Sequence, residues 1–353
     1  MDLALAYRQV SERVAKLDFA ALYRGFSPFP FALYDDTKAY TDGGYFERPD
    51  SFMGNTSVLW NGAHTAIWKL GREDWDWDVL ASKLVHEMLH AFQNASGETR
   101  WADERSALVK YGCDAVSLTA RLAEAACMRA CLTADVPETF SRLLSLRRAR
   151  MERFPDAYDY EARTEQIEGS AHHVELAALA QLSPDKARER WTQLFDALEA
   201  PARYFPVRPV TYLSGAAMIA CLRRYTRLDT DAPGDIPFSV AALSDAKPCD
   251  LPPADPRVEA CLRERQAQIR DTVVRTLEKG DPVLDGAYRL IAWNVYDAVR
   301  DGRYAVINGF LGYLEGTDLP GTDAELFSLM KTLSGDFVAE IDRDLRLYRV
   351  WRR

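Results

Sequence analysis

The chain has 353 residues, 48% hydrophobic and 27% charged, with a formal net charge of −9. That suffices for one large core or two modest ones, and the acidic balance argues against nucleic acid as a partner. No apolar run approaches the roughly 18 residues of a membrane span, so no membrane association is expected.

The start is charged from Asp2 onward and does not read as a signal peptide. The six cysteines contain no Cys-x-x-Cys pair. Cys127 and Cys131, a turn apart on a helix, are either members of a metal site or small core residues, and the usage suits a cytoplasmic protein.

Residues 1–25 predict one amphipathic helix ended by Gly25, and 31–55, rich in Gly, Asp, Tyr and Pro, predict short strands and turns. Ser57–Leu70 flanks Asn61-Gly62 with β-branched and aromatic residues, the signature of a hairpin or bent strand. A strand there is either one more member of a small sheet or an open edge that holds an extended peptide by backbone hydrogen bonds. In Leu80–Asn94, Leu80, Leu84, Val85, Met88, Leu89 and Phe92 recur at helical spacing. Asp74, Asp76 and Asp78 crowd the start of that helix and Gly97 follows its end.

Trp101–Leu132, alanine-rich and free of proline, predicts one long helix. Pro137 opens another to about Phe154, whose basic run Arg147–Arg153 reads as a solvated face. Helices are also expected over Ala157–Leu182, from Pro184 to about Leu198, and over Thr211–Tyr225, with a proline-rich loop at 201–210. The shift to Asp, Pro and Ala between Arg227 and Pro256 marks a boundary, dividing the chain into 1–230 and 231–353. The second part reads as a helix at 256–279 followed by β structure. Asp301-Gly302 separates Tyr288–Val299 from Arg303–Leu314, and the alternation of Phe337–Trp351 predicts one half-buried strand. The expected fold class is mainly α (α+β), with a small N-terminal sheet and a C-terminal β module.

Within the helix of Leu80–Asn94 lies His86-Glu87-Met88-Leu89-His90. Histidines four apart share one helix face, at the spacing where two imidazoles hold one Zn²⁺. Glu87 is then placed to take a proton from a water on the metal. The alternative is a pair of core histidines satisfied by hydrogen bonds. A catalytic site needs a third protein ligand, and no histidine follows His90 closely; His64, His172 and His173 are the others. In Tyr158–Leu182, Glu161, Glu165, Glu168 and Glu175 line one side of a helix. Ile167, Gly169, Ala171 and Val174 make Glu168 the one expected to face inward, where a charge needs a partner or a metal. Glu165, one turn away, and Glu104 are the other candidates. His172 and His173 are either supports for a ligating carboxylate or solvated, and His64 is a surface or substrate-strand residue.

Glu168-Gly169-Ser170-Ala171 resembles the Glu-Gly-x-Ala element of gluzincin metallopeptidases, particularly the alanyl aminopeptidase branch. Tyr212-Leu213-Ser214-Gly215-Ala216 resembles that branch's Tyr-x-x-Gly-Ala element, and the order of the elements is the same. The resemblance implies a zincin-like helical catalytic region. It implies zinc bound by His86, His90 and Glu168, Glu87 as general base and Tyr212 as oxyanion donor. Arg203 or Arg208, from the loop before Tyr212, is either a second oxyanion donor or a surface charge. The expected activity is zinc-dependent hydrolysis of a peptide or protein substrate. The upstream strand lacks the Gly-x-Met-Glu-Asn sequence of those aminopeptidases, which leaves endo- versus exo-cleavage open. The competing expectation is a zinc-binding or regulatory protein without catalysis, in which a fourth protein ligand closes the site.

Overall fold

The structure, a computed structural model, describes residues 2–71, 75–134, 136–316, 319–321 and 323–353; Asp74, placed by the sequence at a helix start, lies outside them. Helix α1 (Leu3–Val14) and the single turn α2 (Phe19–Leu22) lead into strands β1 (Phe31–Tyr34), β2 (Lys38–Thr41), β3 (Gly44–Glu47), β4 (Thr56–Trp60) and β5 (Ala63–Lys69). A helical body follows: α3 (Trp77–Ala95), α4 (Glu104–Lys110), α5 (Ala115–Thr133), α6 (Pro137–Arg153), α7 (Pro155–Thr164), α8 (Ser170–Leu182), α9 (Pro184–Leu198) and α10 (Val207–Tyr225). A π-helical turn, Glu165–Gly169, joins α7 to α8, and a 3₁₀ turn, Pro201–Tyr204, precedes α10. After the short α11 (Phe238–Ala241) and the long α12 (Pro256–Lys279) come β6 (Asp281–Trp293), β7 (Val299–Asp301), β8 (Tyr304–Ile307) and β9 (Phe310–Glu315). Helix α13 (Asp323–Leu329), β10 (Lys331–Ser334), β11 (Phe337–Ile341) and β12 (Arg346–Arg352) complete the chain. The architecture is therefore mixed α+β, with a small N-terminal sheet and a second sheet at the C-terminal end. Among the described residues no helix is long and apolar enough to cross a membrane.

The N-terminal sheet has the order β3-β2-β1-β5-β4, with β1 and β5 parallel and the other pairs antiparallel. Asn61 and Gly62, both at positive φ, make the tight turn between β4 and β5, as an Asn-Gly pair dictates. This leaves β4 at the sheet edge. Leu33 and Ala66 on the sheet share one core with Leu3 and Val10 of α1, Leu84 and Val85 of α3, and Val174 of α8. Helix α3 begins where Asp76 accepts from the N–H groups of Asp78 and Val79. The C-terminal sheet is antiparallel, in the order β10-β9-β6-β12-β11-β8-β7. Helix α12 covers part of it through Ile269 and Val273, packed with Val338 and Trp351.

Several expected elements divide where polar caps intervene. The first helix breaks after Val14, and Asp18 recaps α2 by accepting from Ala21 N–H. The long helix expected over Trp101–Leu132 is two, because Asp103 and Asp114 each cap a start and Gly112 lies between. The single strand expected over Phe337–Trp351 is a hairpin, turned at Leu345 with φ 61°. A register shift between Leu347 and Arg349 keeps Val350 in the core with Leu347 and so turns Trp351 toward α12. The loop expected at 201–210 is short: α10 starts at Val207, because Pro209 in its first turn needs no amide donor. The segment 231–255 packs on the helical body, where Phe238 N–H donates to Gln166 Oε1 and Leu243 sits with Tyr158 and Ala162.

The basic run of α6 is only partly a solvated face: Arg153 is exposed and Arg148 partly so, but the other two arginines are buried. Arg147 and Arg150 are each 1% exposed. Arg147 pairs with Glu124 and Glu165, and Arg150 with Glu124 and Glu161. The glutamates of α7 and the π turn need buried partners, and these arginines supply them.

Candidate metal centre

The two histidines of α3 face the π turn. His86 Nε2 and His90 Nε2 are 3.2 Å apart, and Glu168 Oε2 is 3.2 Å from His90 Nε2 and 3.7 Å from His86 Nε2. All three residues are buried, at 8–9% exposure. Ligands about 2.0–2.1 Å from a zinc ion on tetrahedral corners stand roughly 3.3–3.4 Å from one another. The three atoms therefore surround a point where one ion fits, and two imidazoles with a carboxylate form a zinc-type donor set.

Two of the candidate ligands, His90 and Glu168, are held from behind by hydrogen bonds, and His86 has a carboxylate at ion-pair distance. His90 Nδ1 lies 2.8 Å from Gln93 Oε1, and Gln93 Nε2 donates to Ile167 O at 3.2 Å, so the amide is fixed with its oxygen toward the ring. That places the His90 proton on Nδ1 and the lone pair on Nε2. His86 Nδ1 lies 3.3 Å from Glu175 Oε2, which His172 Nδ1 also approaches at 3.1 Å. Arg208 Nη2 donates to Glu168 Oε1 at 2.8 Å, leaving Oε2 for the histidine side. Two imidazole lone pairs facing each other in a buried site repel unless a cation or proton lies between them.

The electrostatics agree with that picture. Burial opposes charge on His86, but Glu168 and Glu175 overcome it and raise its pKa to about 10. Glu168 is held well below the usual carboxylate range against its own desolvation, by His90, His86 and Arg208. Glu87 behaves oppositely. Burial raises its pKa, only partly offset by the two histidines, and among the described residues no hydrogen bond holds its carboxylate.

A glycine pair brings the glutamate and the tyrosine helix together. A Cβ on Gly169 would stand 2.6 Å from Gly215 Cα, and one on Gly215 would stand 2.7 Å from Gly169 Cα. The glycines of the two motif elements thus touch, backbone on backbone. The π turn between Glu165 and Gly169 divides the glutamates by role. Glu165 accepts from Arg147, Ser214 and Ser239 and faces away from the histidines. Glu104 is bound to Arg208 and accepts from Tyr160 Oη at 3.1 Å. Only Glu168 of the three candidates joins the histidines.

The centre opens into a pocket of about 250 Å³, lined by Glu87, Asn94, Trp101, Tyr296 and residues 55–57 of the β4 edge. Asn94 Nδ2 donates to Ser57 Oγ at 3.2 Å, tying that edge to α3. Tyr212 is beside the pocket rather than on its wall, and its hydroxyl donates to Tyr296 Oη at 3.3 Å. The Arg208 guanidinium lies 5.6 Å from the Tyr212 ring centre and 5.9 Å from that of Tyr296. Burial and the Glu168 charge push the Tyr212 phenol upward, so it stays a donor.

Tyr296, to which no sequence motif points, lies in the turn between β6 and β7. Asn294 there accepts from Tyr296 N–H and turns the chain, a side-chain-driven turn visible only with its context. Trp101, Gln93 and the role of Glu175 were also missed. Arg208 is on the first turn of α10, not in a loop. Arg203 is exposed in the 3₁₀ turn, and His64 faces Leu59 in the β4–β5 ladder; neither lines the pocket. His173 approaches Arg223 at 3.3 Å.

No family model matches this chain, and neither a curated protein nor a solved structure is detectably similar to it.

Proposed function

We propose that the protein is a zinc-dependent metallopeptidase, with His86, His90 and Glu168 holding the metal. The observation that carries this reading is the convergence of three lone-pair donors at zinc spacing beside a free carboxylate, Glu87, and an open strand edge. Bound zinc would polarise the scissile carbonyl and lower the pKa of a water at the centre to about 7.

The chain supplies the remainder. Free backbone groups on the outer side of β4 pair with an extended peptide and lay it across the pocket. The Glu87 carboxylate, its pKa raised by burial, accepts the proton of the attacking water and returns it to the leaving amine. The Tyr212–Tyr296 hydroxyl pair provides a donor for the oxyanion that develops on the carbonyl oxygen. Arg208 fixes the Glu168 carboxylate and packs against both tyrosine rings. Among the described residues the histidine pair gathers one carboxylate and no fourth protein ligand, which favours catalysis over a purely structural site.

The test is digestion of a broad peptide library by the zinc-loaded protein, read by mass spectrometry. Cleavage that ceases on chelation and returns with zinc supports the reading, and the cut sites separate endo- from exopeptidase action. Zinc-loaded protein that cleaves no peptide contradicts it.

A further inference from the structure

A second and larger cavity, of about 460 Å³, lies between the helical body and the C-terminal sheet. Such a volume suits a small organic ligand. Its walls are mostly apolar, with Leu108, Tyr204, Phe205, Ile269, Trp293 and Val295 among them. The tyrosine hydroxyls around it are engaged elsewhere: Tyr204 donates to Leu198 O, Tyr111 to Glu161 and Tyr160 to Glu104. These tyrosines therefore offer rings rather than free donors.

The charged lining is unbalanced. Four arginines, Arg208, Arg265, Arg300 and Arg343, face two acids, Glu104 and Asp297. Arg208 is bound to Glu104 and Glu168, and Arg265 lies 3.9 Å from Asp297. Among the described residues neither Arg300 nor Arg343 forms an ion pair, although Asp342 lies near enough to attract Arg300. Arg300 donates only to Gly302 O, at 2.8 Å. Desolvation and the like charge of Arg343 lower the Arg300 pKa, and the attraction of Asp342 offsets them only in part. An apolar chamber whose lining arginines outnumber its acids, with Arg300 and Arg343 outside any ion pair among the described residues, is complementary to a molecule with an apolar body and one acidic head.

We propose that this cavity binds a small amphipathic carboxylate, its apolar body between Phe205, Ile269 and Trp293 and its carboxylate on Arg300 and Arg343. The site joins residues from both parts of the chain, so an occupant bridges the helical body and the sheet. It is also separate from the metal centre, with Arg208 on the wall between them. The assignment does not depend on peptidase activity.

Calorimetric titration of the full-length protein with decanoate tests this, using decanol and acetate as the tail-only and head-only probes. Each titration is run on zinc-loaded and on zinc-free protein, because a carboxylate can also bind a metal. Decanoate is expected to bind one site, equally with and without zinc, and at least tenfold more tightly than either control. Arg300→Gln/Arg343→Gln should weaken decanoate at least tenfold and leave decanol unchanged, since Arg343 is exposed and Arg300 only half-buried. Leu108→Trp, which fills the chamber, should abolish binding of both. A decanoate affinity that needs zinc, equals that of decanol, survives the double substitution or is undetectable at millimolar concentration overturns the proposal.

Discussion

Gly169 and Gly215 meet backbone to backbone, so that a Cβ on either would stand under 3 Å from the Cα of the other. One glycine follows the candidate ligand Glu168, and the other lies three residues after Tyr212. Their contact lets α10 approach the π turn closely enough for Arg208 to reach Glu168. Gly215→Ala is therefore expected to destabilise the protein by about 1–3 kcal/mol through overpacking and to weaken metal binding as Glu168 shifts. Chemical denaturation and zinc titration of the same variant measure both effects. Unchanged stability would show that the helices can part without cost.

The two neighbouring glutamates should fail in different ways. Glu168→Ala removes a ligand atom, and zinc affinity should fall by at least two orders of magnitude while the protein stays folded. Glu165→Ala takes from Arg147 one of its two buried carboxylate partners, the bidentate one, and leaves only Glu124. Breaking such a pair costs about 3–5 kcal/mol, so that variant should lose stability first, and its folded fraction should still bind zinc. Denaturation curves beside metal titrations distinguish the two. Normal zinc binding by Glu168→Ala would remove Glu168 from the ligand set.

Tyr296 makes the C-terminal sheet part of the proposed active site. Tyr296→Phe and Tyr212→Phe are each expected to lower kcat about 10- to 100-fold with zinc content unchanged. Their double variant should lose little more than the worse single one, because the two hydroxyls share one hydrogen bond. Steady-state kinetics on a peptide cut by the wild type reads this. Multiplicative losses would show that the tyrosines act separately.

His173 gives the fold an acid-sensitive point. Burial and the nearby Arg223 depress its pKa to about 3, whereas an unfolded histidine titrates near 6.5. The folded state thus keeps His173 neutral while the unfolded state gains a proton. Its contribution is fully present above about pH 6.5 and is lost as pH falls toward 3. At pH 5 the loss is on the order of 2 kcal/mol. Comparing denaturation of wild type and His173→Gln from pH 7 to 5 should show a shallower decline in the variant; parallel declines would exclude His173.

The histidine-bearing helix α3 was legible because its period, its Asp76 cap and its histidine spacing all act within one element. The β4–β5 hairpin was legible for the same reason, through Asn61-Gly62. The division of roles between Glu165 and Glu168 was not settled by local sequence. It depends on Arg147, read from α6 alone as a surface charge and buried only because α5, α6 and α7 pack together. Tyr296 was hidden for a related reason. Nothing near residue 296 indicates that a turn of the C-terminal sheet will lie against α10. Helix breaks at Asp103 and Asp114 were missed because alanine-rich flanks outweighed capping residues in the sequence pattern.

The most direct measurement is peptide cleavage by wild type beside Glu87→Gln, each carrying a measured equivalent of zinc. Glu87 is not among the three converging ligands, so the variant should keep its zinc while turnover falls by at least three orders of magnitude. Full zinc in both proteins with cleavage only by wild type is the expected result. Cleavage by Glu87→Gln at the wild-type rate, or no cleavage by zinc-loaded wild type, would contradict the assignment of a peptidase centre to α3 and the π turn.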